Sequence, residues 1–227
     1  HLDDIMGRSG SDRGGGGKNG NGGKRGKSAL GGLSPKHMDA AQRLAKAMEK
    51  IKSYQMDDGV PADIAKMQYA LAEGLVMSQV PTGTGVLIFV SGINDITDLL
   101  ALFDQNEDCI LVPIHSDVPY EEQRLAMEPT PKGKIKVIIA TNAAESSITV
   151  PDCDTVICLG THKALKYIPR THRVALVNSW ISQASATQRA GRTGRVRPGK
   201  VIRLYSEALF SFMDEHEPCE VTRVPGQ

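Results

Sequence analysis

The chain has 227 residues, of which 40% are hydrophobic and 23% are charged, and its formal net charge is +1. That length and balance suit one globular domain with a packed core, and the near-neutral charge neither demands nor excludes nucleic acid. No apolar run reaches the roughly 18 residues of a membrane span, so we expect no membrane partner. No paired CxxC spacing occurs, so we predict no metal site and reduced thiols in an intracellular protein, at Cys109, Cys153, Cys158 and Cys219.

The amino-acid composition of the first 35 residues changes abruptly after a short apolar and acidic start. Residues 1–6 (HLDDIM) precede a stretch at 7–35 that is almost entirely Gly, Ser, Asn, Lys and Arg. Such a stretch has too little apolar surface to offset chain entropy, so we predict a disordered basic Gly-rich insertion. A flexible linker and a basic arm that binds nucleic-acid phosphates weakly both remain open. Its segment at 21–28 (NGGKRGKS) is only partly similar to a phosphate-binding loop, because Asn21 replaces the first glycine and no apolar strand precedes it.

From Ser34 onwards, helices and strands alternate. Ser34 followed by Pro35 predicts a helix start, with the helix running over 38–55, and apolar residues at helical spacing predict a second helix from about Pro61. The elements predicted after these are strand 86–91, helix 93–103, strand 109–114, helix 120–128, strand 134–141, strand 153–160, a hairpin of 163–168 with 173–181, helix 182–192, strand 201–206 and helix 207–215. Continuous apolar strands that alternate with helices indicate an α/β fold, with a mostly parallel sheet and helices on both faces.

The strongest chemical signal is QRAGRTGR at 188–195. Arg192 and Arg195 are three residues apart and Gln188 lies four residues before Arg192, so a helix or turn presents them on one side. Planar, permanently charged guanidinium groups suit phosphate oxygens, and an arginine finger stabilises the charge that develops in phosphoryl transfer. Taken alone, two arginines would favour an exposed basic helix end.

Other segments accompany this motif in a recognisable order. They are GVLIFVSGINDI (85–96), IHSDVPYEEQR (114–124), ATNAAESSITVPD (140–152) and, after the motif, RLYSEALFSFMDEHEPCEVTR (203–223). With QRAGRTGR as motif VI, they resemble motif IV, an RNA-contact segment, motif V and the domain exit of DEAH/RHA-type (DExH-box) superfamily-2 RNA helicases. The opening Gln-Arg of QRAGRTGR is typical of that branch. The resemblance covers residues 1–6 and 60–223, with HLDDIM similar to the first strand of the second RecA-like domain.

The resemblance implies a RecA-like three-layer αβα domain at 36–227 with a β-hairpin insertion. It implies half of a motor that couples ATP hydrolysis to 3′–5′ translocation on RNA. ATP and Mg²⁺ would be held mainly by a first RecA-like domain, whose phosphate-binding loop and acidic motif have no counterpart in this sequence. We therefore expect a fragment that does not hydrolyse ATP alone.

The resemblance places several residues at the nucleotide. Gln188, Arg192 and Arg195 would be catalytic and face its β- and γ-phosphates. Thr149 would lie near the nucleotide, and Ser147 would sense its state.

Two further residues complete the implied nucleotide set. Asp152 would also lie near the nucleotide. Met127 stands where the family often has a phenylalanine that stacks on the base, and a thioether packs on a base less rigidly than a ring does.

The resemblance also implies a grip on the RNA backbone. Hydroxyls, an amide and backbone N–H groups at strand ends hold phosphates without reading bases, although each such residue alone fits a strand-end turn or a helix cap as well. Basic residues of the hairpin fit either the same role or a solvated face. The implied RNA-binding residues are Ser91, Gly92, His115, Ser116, Thr141, Asn142, Lys163 and Arg170.

The implied partners are RNA, the first RecA-like domain, winged-helix and further C-terminal domains of the same protein, and an activator protein. Two alternatives remain open, a catalytically inactive RNA-binding scaffold and a helicase-like motor directed to DNA. Sensitivity to the 2′-hydroxyl separates RNA from DNA. The compartment is expected to be the nucleus or cytoplasm, with an organelle also open.

Overall fold

The computed structural model describes residues 32–51, 59–142, 144–147, 150–168, 172–194 and 198–217, without the side chains of 146 and 147. The helices and strands are α1 (Pro35–Lys50), α2 (Ala62–Gln79), β1 (Thr84–Phe89), α3 (Ile93–Phe103), β2 (Cys109–Ile114), α4 (Tyr120–Arg124), a 3-10 helix (Leu125–Met127), β3 (Ile135–Ala140), α5 (Ala144–Ser147), β4 (Cys153–Cys158), β5 (Thr161–Ile168), β6 (Arg173–Trp180), α6 (Gln183–Ala190), β7 (Lys200–Arg203) and α7 (Glu207–Phe212). The predicted strand at 1–6, nearly all of the predicted insertion and the loop-like segment at 21–28 lie outside the described residues.

Within the described residues, a sheet of five strands has the order β2-β3-β1-β4-β7, and every neighbouring pair is parallel. All residues of β1 and β3 are buried. Successive residues of a strand point to opposite faces, so both faces of the sheet are covered at its centre. The predicted mostly parallel α/β fold is confirmed.

The remaining two strands form the predicted hairpin. β5 and β6 pair in antiparallel fashion from Thr161 opposite Trp180 to Ile168 opposite Arg173. The hairpin base is buried at Trp180, whereas the cross-strand pair of Leu165 and Leu176 is exposed.

Element boundaries differ from the predicted ones where local chemistry intervenes. The helix predicted over 120–128 is α4 followed by the 3-10 helix, because Glu128 precedes Pro129 and is therefore held in extended conformation. The helix predicted over 182–192 ends at Ala190, with Gly191 as its C-cap. The first helix ends at Lys50 rather than at 55. Its start at Pro35, with extended Ser34 as N-cap, matches the prediction.

Helix α2 secures the carboxyl ends of two neighbouring strands. The side chain of Gln68 is completely buried. Its Nε2 donates to the carbonyl of Leu159 at 2.8 Å and to that of Leu204 at 2.9 Å, directly after β4 and β7. Of the helices in the described part of the chain, none is both long and apolar enough to cross a membrane.

Candidate functional site

The carboxyl ends of three neighbouring strands bring together most of the residues predicted to bind RNA. β2, β3 and β1 are adjacent and pair in register, so that Ile114, Ala140 and Phe89 lie side by side at their ends. We call the loops after these strands the carboxyl edge, comprising Ser91, Gly92, His115, Ser116, Thr141 and Asn142.

The residues of the carboxyl edge differ in accessibility. Ser116 and Asn142 are exposed and His115 is half-buried, so a hydroxyl, an amide and an imidazole reach the surface. Thr141 is buried, with 4% of its surface exposed. The backbone carbonyl of Asn142 accepts from the N–H of Glu145 at 2.9 Å, which begins α5. Polar groups of this kind bind phosphate oxygens and carry no sequence information.

The turn between β1 and α3 uses its donors inside the fold. The backbone N–H groups of Ser91 and Gly92 donate to the Asp95 carboxylate at 2.9 and 3.1 Å. The Ser91 hydroxyl donates to the same carboxylate, and Ser91 is buried. Their role as RNA contacts stays a prediction, but the donors that prompted it cap α3 in this structure.

Lys163 of the hairpin reaches the carboxyl edge. A Cβ atom added to Gly92 would lie 3.1 Å from Lys163 Cε, so the glycine leaves room for the lysine stem. Two residues predicted separately, from different segments, are therefore in contact. Arg170, the other predicted hairpin residue, lies outside the described residues.

Gln123 supports the same edge and was missed by sequence reasoning. Its Nε2 donates to the carbonyls of His115 at 3.1 Å and Val118 at 2.6 Å. These two hydrogen bonds fix the loop that presents His115 and Ser116. No local sequence signal points to this role, because the contact depends on how α4 folds back on the loop.

The opposite end of the sheet carries residues predicted to face the nucleotide. Asp152 directly precedes β4, and its carbonyl accepts from the N–H of Gly85 at 2.9 Å. Met127 ends the 3-10 helix with 46% of its surface exposed. We call this region, with Thr130, Lys136 and Asp152, the amino edge.

The Asp152 carboxylate is held by a buried lysine and by the loop before β3. One oxygen lies 2.8 Å from Lys136 Nζ, and the other accepts from the Thr130 N–H at 2.7 Å and from its hydroxyl. Burial raises the pKa of the Asp152 carboxyl, but the hydrogen bonds from Lys136 and Thr130, together with the lysine charge, outweigh it and leave the pKa below its ordinary value. The carboxylate therefore stays ionised at neutral pH.

The motif-VI segment reaches the amino edge beside Asp152. Gln188 is exposed near the end of α6, and Arg192 is half-buried in the turn that follows. The hydroxyl of Thr193 donates to the carbonyl of Cys153 at 2.7 Å, which attaches this turn to the start of β4. Their spacing predicted that a helix or turn would present Gln188 and Arg192 on one side. The helix α6 stops two residues before Arg192, so only Gln188 is part of it.

Arg189, between Gln188 and Arg192 in the same motif, has a structural role that sequence reasoning did not identify. Its side chain is completely buried. Its Nε donates to Glu145 at 2.6 Å, its Nη1 donates to the Thr161 carbonyl at 3.1 Å, and its guanidinium lies 5.0 Å from the centre of the Phe89 ring. The sequence offers one indication of this role: Arg189 lies four residues after Ser185, and residues four apart share a helix face. Ser185 is buried in the structure, as Arg189 is.

For three residues predicted to lie at the nucleotide, the position of the side chain is not described. Ser147 is the last residue of α5, and nothing is described of its side chain. Thr149 and Arg195 lie outside the described residues. Among the residues with a described structure, no group of three or more His, Cys, Asp and Glu side chains is placed to hold a metal ion.

Comparison with known proteins finds a family match for the segment that contains most of these residues. Residues 66–197 match the family described as helicase conserved C-terminal domain. The chain is 35% identical over 151 residues to the DExH-box ATP-dependent RNA helicase DExH1 of Arabidopsis thaliana, covering 64% of this chain and 15% of that protein. It is 38% identical over 146 residues to the ATP-dependent RNA helicase dhx29 of Xenopus laevis, covering 62% of this chain and 11% of that protein.

Solved structures agree with the sequence comparison. The DExH-box NTPase HrpB of E. coli superposes with a TM-score of 0.63 at 28% identity, covering 72% of this chain and 20% of HrpB. The chain thus spans at most a fifth of each of these similar proteins. The sheet and hairpin described above are the shared fold.

Proposed function

The chain belongs to the helicase conserved C-terminal domain family, in the DEAH/RHA branch of superfamily 2, and from this premise we propose that it is the second RecA-like domain of a longer ATP-dependent RNA helicase. In this proposal the amino edge faces ATP and the carboxyl edge grips the RNA backbone. The observation that carries it is that Met127, Asp152 and the turn of Arg192 lie at the amino ends of the parallel strands, whereas the residues of the carboxyl edge lie at the opposite end. A rigid sheet between the two sites lets one domain respond to nucleotide and hold RNA at the same time.

The residues of the amino edge fit a nucleoside triphosphate. Met127 offers an exposed apolar side chain to a base, and Arg192 offers a guanidinium to phosphate oxygens. When ATP is cleaved by water into ADP and phosphate, negative charge develops on the transferred group, and a guanidinium stabilises that charge. Gln188, exposed four residues earlier, would orient the attacking water, and Arg195 would assist Arg192.

The first RecA-like domain would supply the remainder of the reaction centre. It would hold Mg²⁺ and the triphosphate, and closure of the cleft would bring Arg192 to the γ-phosphate. Opening after hydrolysis would release that contact, so that the nucleotide biases a two-state cleft. Alternating grips at the carboxyl edge would then move the protein 3′ to 5′ along one RNA strand.

RNA-stimulated ATPase activity of the full-length protein tests this proposal. We expect wild type to turn over with RNA, and Arg192→Ala to lower kcat by roughly a thousandfold or more with RNA affinity retained. Arg43→Ala is the matched control, because Arg43 is exposed on α1 and pairs with Asp39 one turn away. It should turn over at the wild-type rate.

The other outcomes identify the competing functions. Wild type without RNA-stimulated turnover would indicate the inactive RNA-binding scaffold. Equal stimulation by RNA and by DNA of the same sequence would indicate a DNA-directed motor, since only a 2′-hydroxyl contact distinguishes the two. Full activity of Arg192→Ala would remove the arginine-finger role from Arg192.

A further inference from the structure

Lys136 is a charged side chain in the most buried part of the sheet, and neither the motifs nor the proposed function uses it. It is the second residue of β3, and only 2% of its side chain is exposed. A lysine at such a position must have its ammonium group fully paired, because an uncompensated buried charge is strongly unfavourable.

Three oxygen atoms surround the Lys136 ammonium group. Nζ lies 3.1 Å from the carbonyl of Ala126, 2.5 Å from that of Glu128 and 2.8 Å from the Asp152 carboxylate. The two carbonyls accept hydrogen bonds from the ammonium group, and the Asp152 carboxylate balances its charge as an ion pair. None of the acceptors is in β3 itself, so the lysine joins segments that strand pairing does not hold together.

Two of those acceptors are the carbonyls on either side of Met127. Ala126 is completely buried and Met127 is exposed, so the backbone is anchored on both sides of an outward side chain. The third acceptor, Asp152, also binds Thr130 through its other oxygen. One ammonium group therefore fixes the turn that carries Met127 relative to Asp152.

We infer that Lys136 is a positioning residue of the nucleotide site: it holds the Met127 turn at a set distance from Asp152, so that the methionine packs on the base of the bound nucleoside triphosphate. The inference rests on the proposed function, since it takes the amino edge as the nucleotide face. Lys136 itself does not contact the nucleotide; it acts through Met127.

The test separates base binding from phosphate binding in the full-length protein. Affinity is measured for ATP and for inorganic tripolyphosphate, which has no base. We expect Lys136→Met to weaken ATP binding roughly fivefold to tenfold, the scale of one thioether contact with a ring. Tripolyphosphate affinity should stay at the wild-type value.

A double variant tests whether Lys136 acts through Met127. If it does, Lys136→Met combined with Met127→Ala binds ATP no more weakly than the weaker single variant. Additive losses, or an equal loss for ATP and tripolyphosphate, would overturn the inference in favour of a merely structural lysine. Unchanged ATP affinity in Lys136→Met would overturn it as well.

Further variants keep the result interpretable. Lys134→Met is the matched control: Lys134 lies two residues earlier, is 40% exposed and donates to the carbonyl of Glu107, so ATP affinity should not change.

If Lys136→Met does not fold, Thr130→Val replaces it. Thr130→Val removes one hydrogen bond to Asp152 and should lower ATP affinity by a smaller factor, with tripolyphosphate affinity unchanged. This loss of ATP affinity should again be absent in the Met127→Ala background. Unchanged ATP affinity in Thr130→Val would overturn the inference. A wild-type protein that binds tripolyphosphate as well as ATP and shows no RNA-stimulated turnover would instead overturn the proposed function.

Discussion

Gly160, between β4 and the hairpin, has two independent reasons to be glycine. Its φ is +82°, a left-handed conformation that other residues rarely adopt. A Cβ atom there would also lie 2.5 Å from Cδ1 of Tyr205, whose side chain is completely buried. The close packing of Tyr205 on this backbone fixes the exit of β4 towards the hairpin and so the position of Lys163.

Gly160→Ala should therefore destabilise the chain by more than its backbone conformation alone requires. We expect about 1 kcal/mol from the left-handed conformation and a further 1–3 kcal/mol from overpacking against Tyr205. Gly133→Ala is the matched control, because Gly133 has the same φ of +82° and nothing lies within 4 Å of an added Cβ. Urea unfolding of both variants measures the difference, and equal losses would show that the contact with Tyr205 has no energetic weight.

Arg189 and Arg192 show how the same residue type is placed in different environments within one motif. Both belong to QRAGRTGR, yet Arg189 is completely buried against Glu145 and Phe89 whereas Arg192 is half-buried in the turn beyond α6. A three-residue step around a helix end changes the direction of the side chain. Burial commits Arg189 to the fold.

At the scale of elements, the start of α3 depends on one carboxylate. Asp95 accepts the N–H groups of Ser91 and Gly92 and, on its other oxygen, the hydroxyl of Tyr69 at 2.6 Å. Burial and the neighbouring Asp95 carboxylate raise the pKa of Tyr69, so its hydroxyl stays protonated and donates. The side chain thus joins β1, α3 and α2 at the carboxyl edge.

Asp95→Ala should both destabilise the fold and loosen this edge. Loss of an N-terminal cap costs about 0.5–2 kcal/mol, and leaving the buried Tyr69 hydroxyl without an acceptor adds about 1–3 kcal/mol. Asp98→Ala, an exposed position on the same helix, serves as the control and should change stability by less than about 0.5 kcal/mol. Thermal unfolding measures both, and similar melting temperatures would contradict a capping role for Asp95.

At the scale of the whole molecule, the sheet keeps the two predicted sites apart. Parallel strands place all carboxyl ends at one edge and all amino ends at the other, so loops of one kind collect at each. Ligands of open α/β sheets are expected at the carboxyl ends of the strands, which agrees with the predicted RNA residues. Of the predicted nucleotide residues, Met127, Asp152 and Arg192 instead lie at the amino edge.

Variants at the two edges should therefore separate RNA binding from ATP binding. In the full-length protein, Lys163→Met should weaken RNA binding equally for different sequences and lower the slope of log affinity against log salt by about 0.7, the value for one phosphate contact on a single strand. ATP affinity measured without RNA should not change. Lys132→Met removes an exposed lysine from the turn before β3 and is the control for net charge. An equal effect of the two variants would show that general charge, rather than the hairpin contact, governs RNA affinity.

Much of the fold could be predicted because its signals are local. The apolar runs at 86–89 in β1 and 137–140 in β3 indicate strands covered on both faces, and the structure has both strands buried throughout. The Ser34–Pro35 helix start and the hairpin were predicted for equally local reasons. The 3-10 helix before Pro129 and the end of α6 at Gly191 were not, because boundaries depend on the balance of a few weak interactions.

The sequence by itself determined the order of strands and helices, the family resemblance and the chemistry of the motif residues, since each is encoded in neighbouring positions. Only the tertiary structure decided which of those residues are used inside the fold. Glu145 and Arg189 are 44 positions apart and meet only when α6 packs beside α5. Lys136 reaches Asp152 because β1 pairs with both β3 and β4 and so brings their starts together. Contacts between distant segments depend on strand order and register, which no local pattern specifies, and these contacts commit Asp95, Lys136 and Arg189 to the fold.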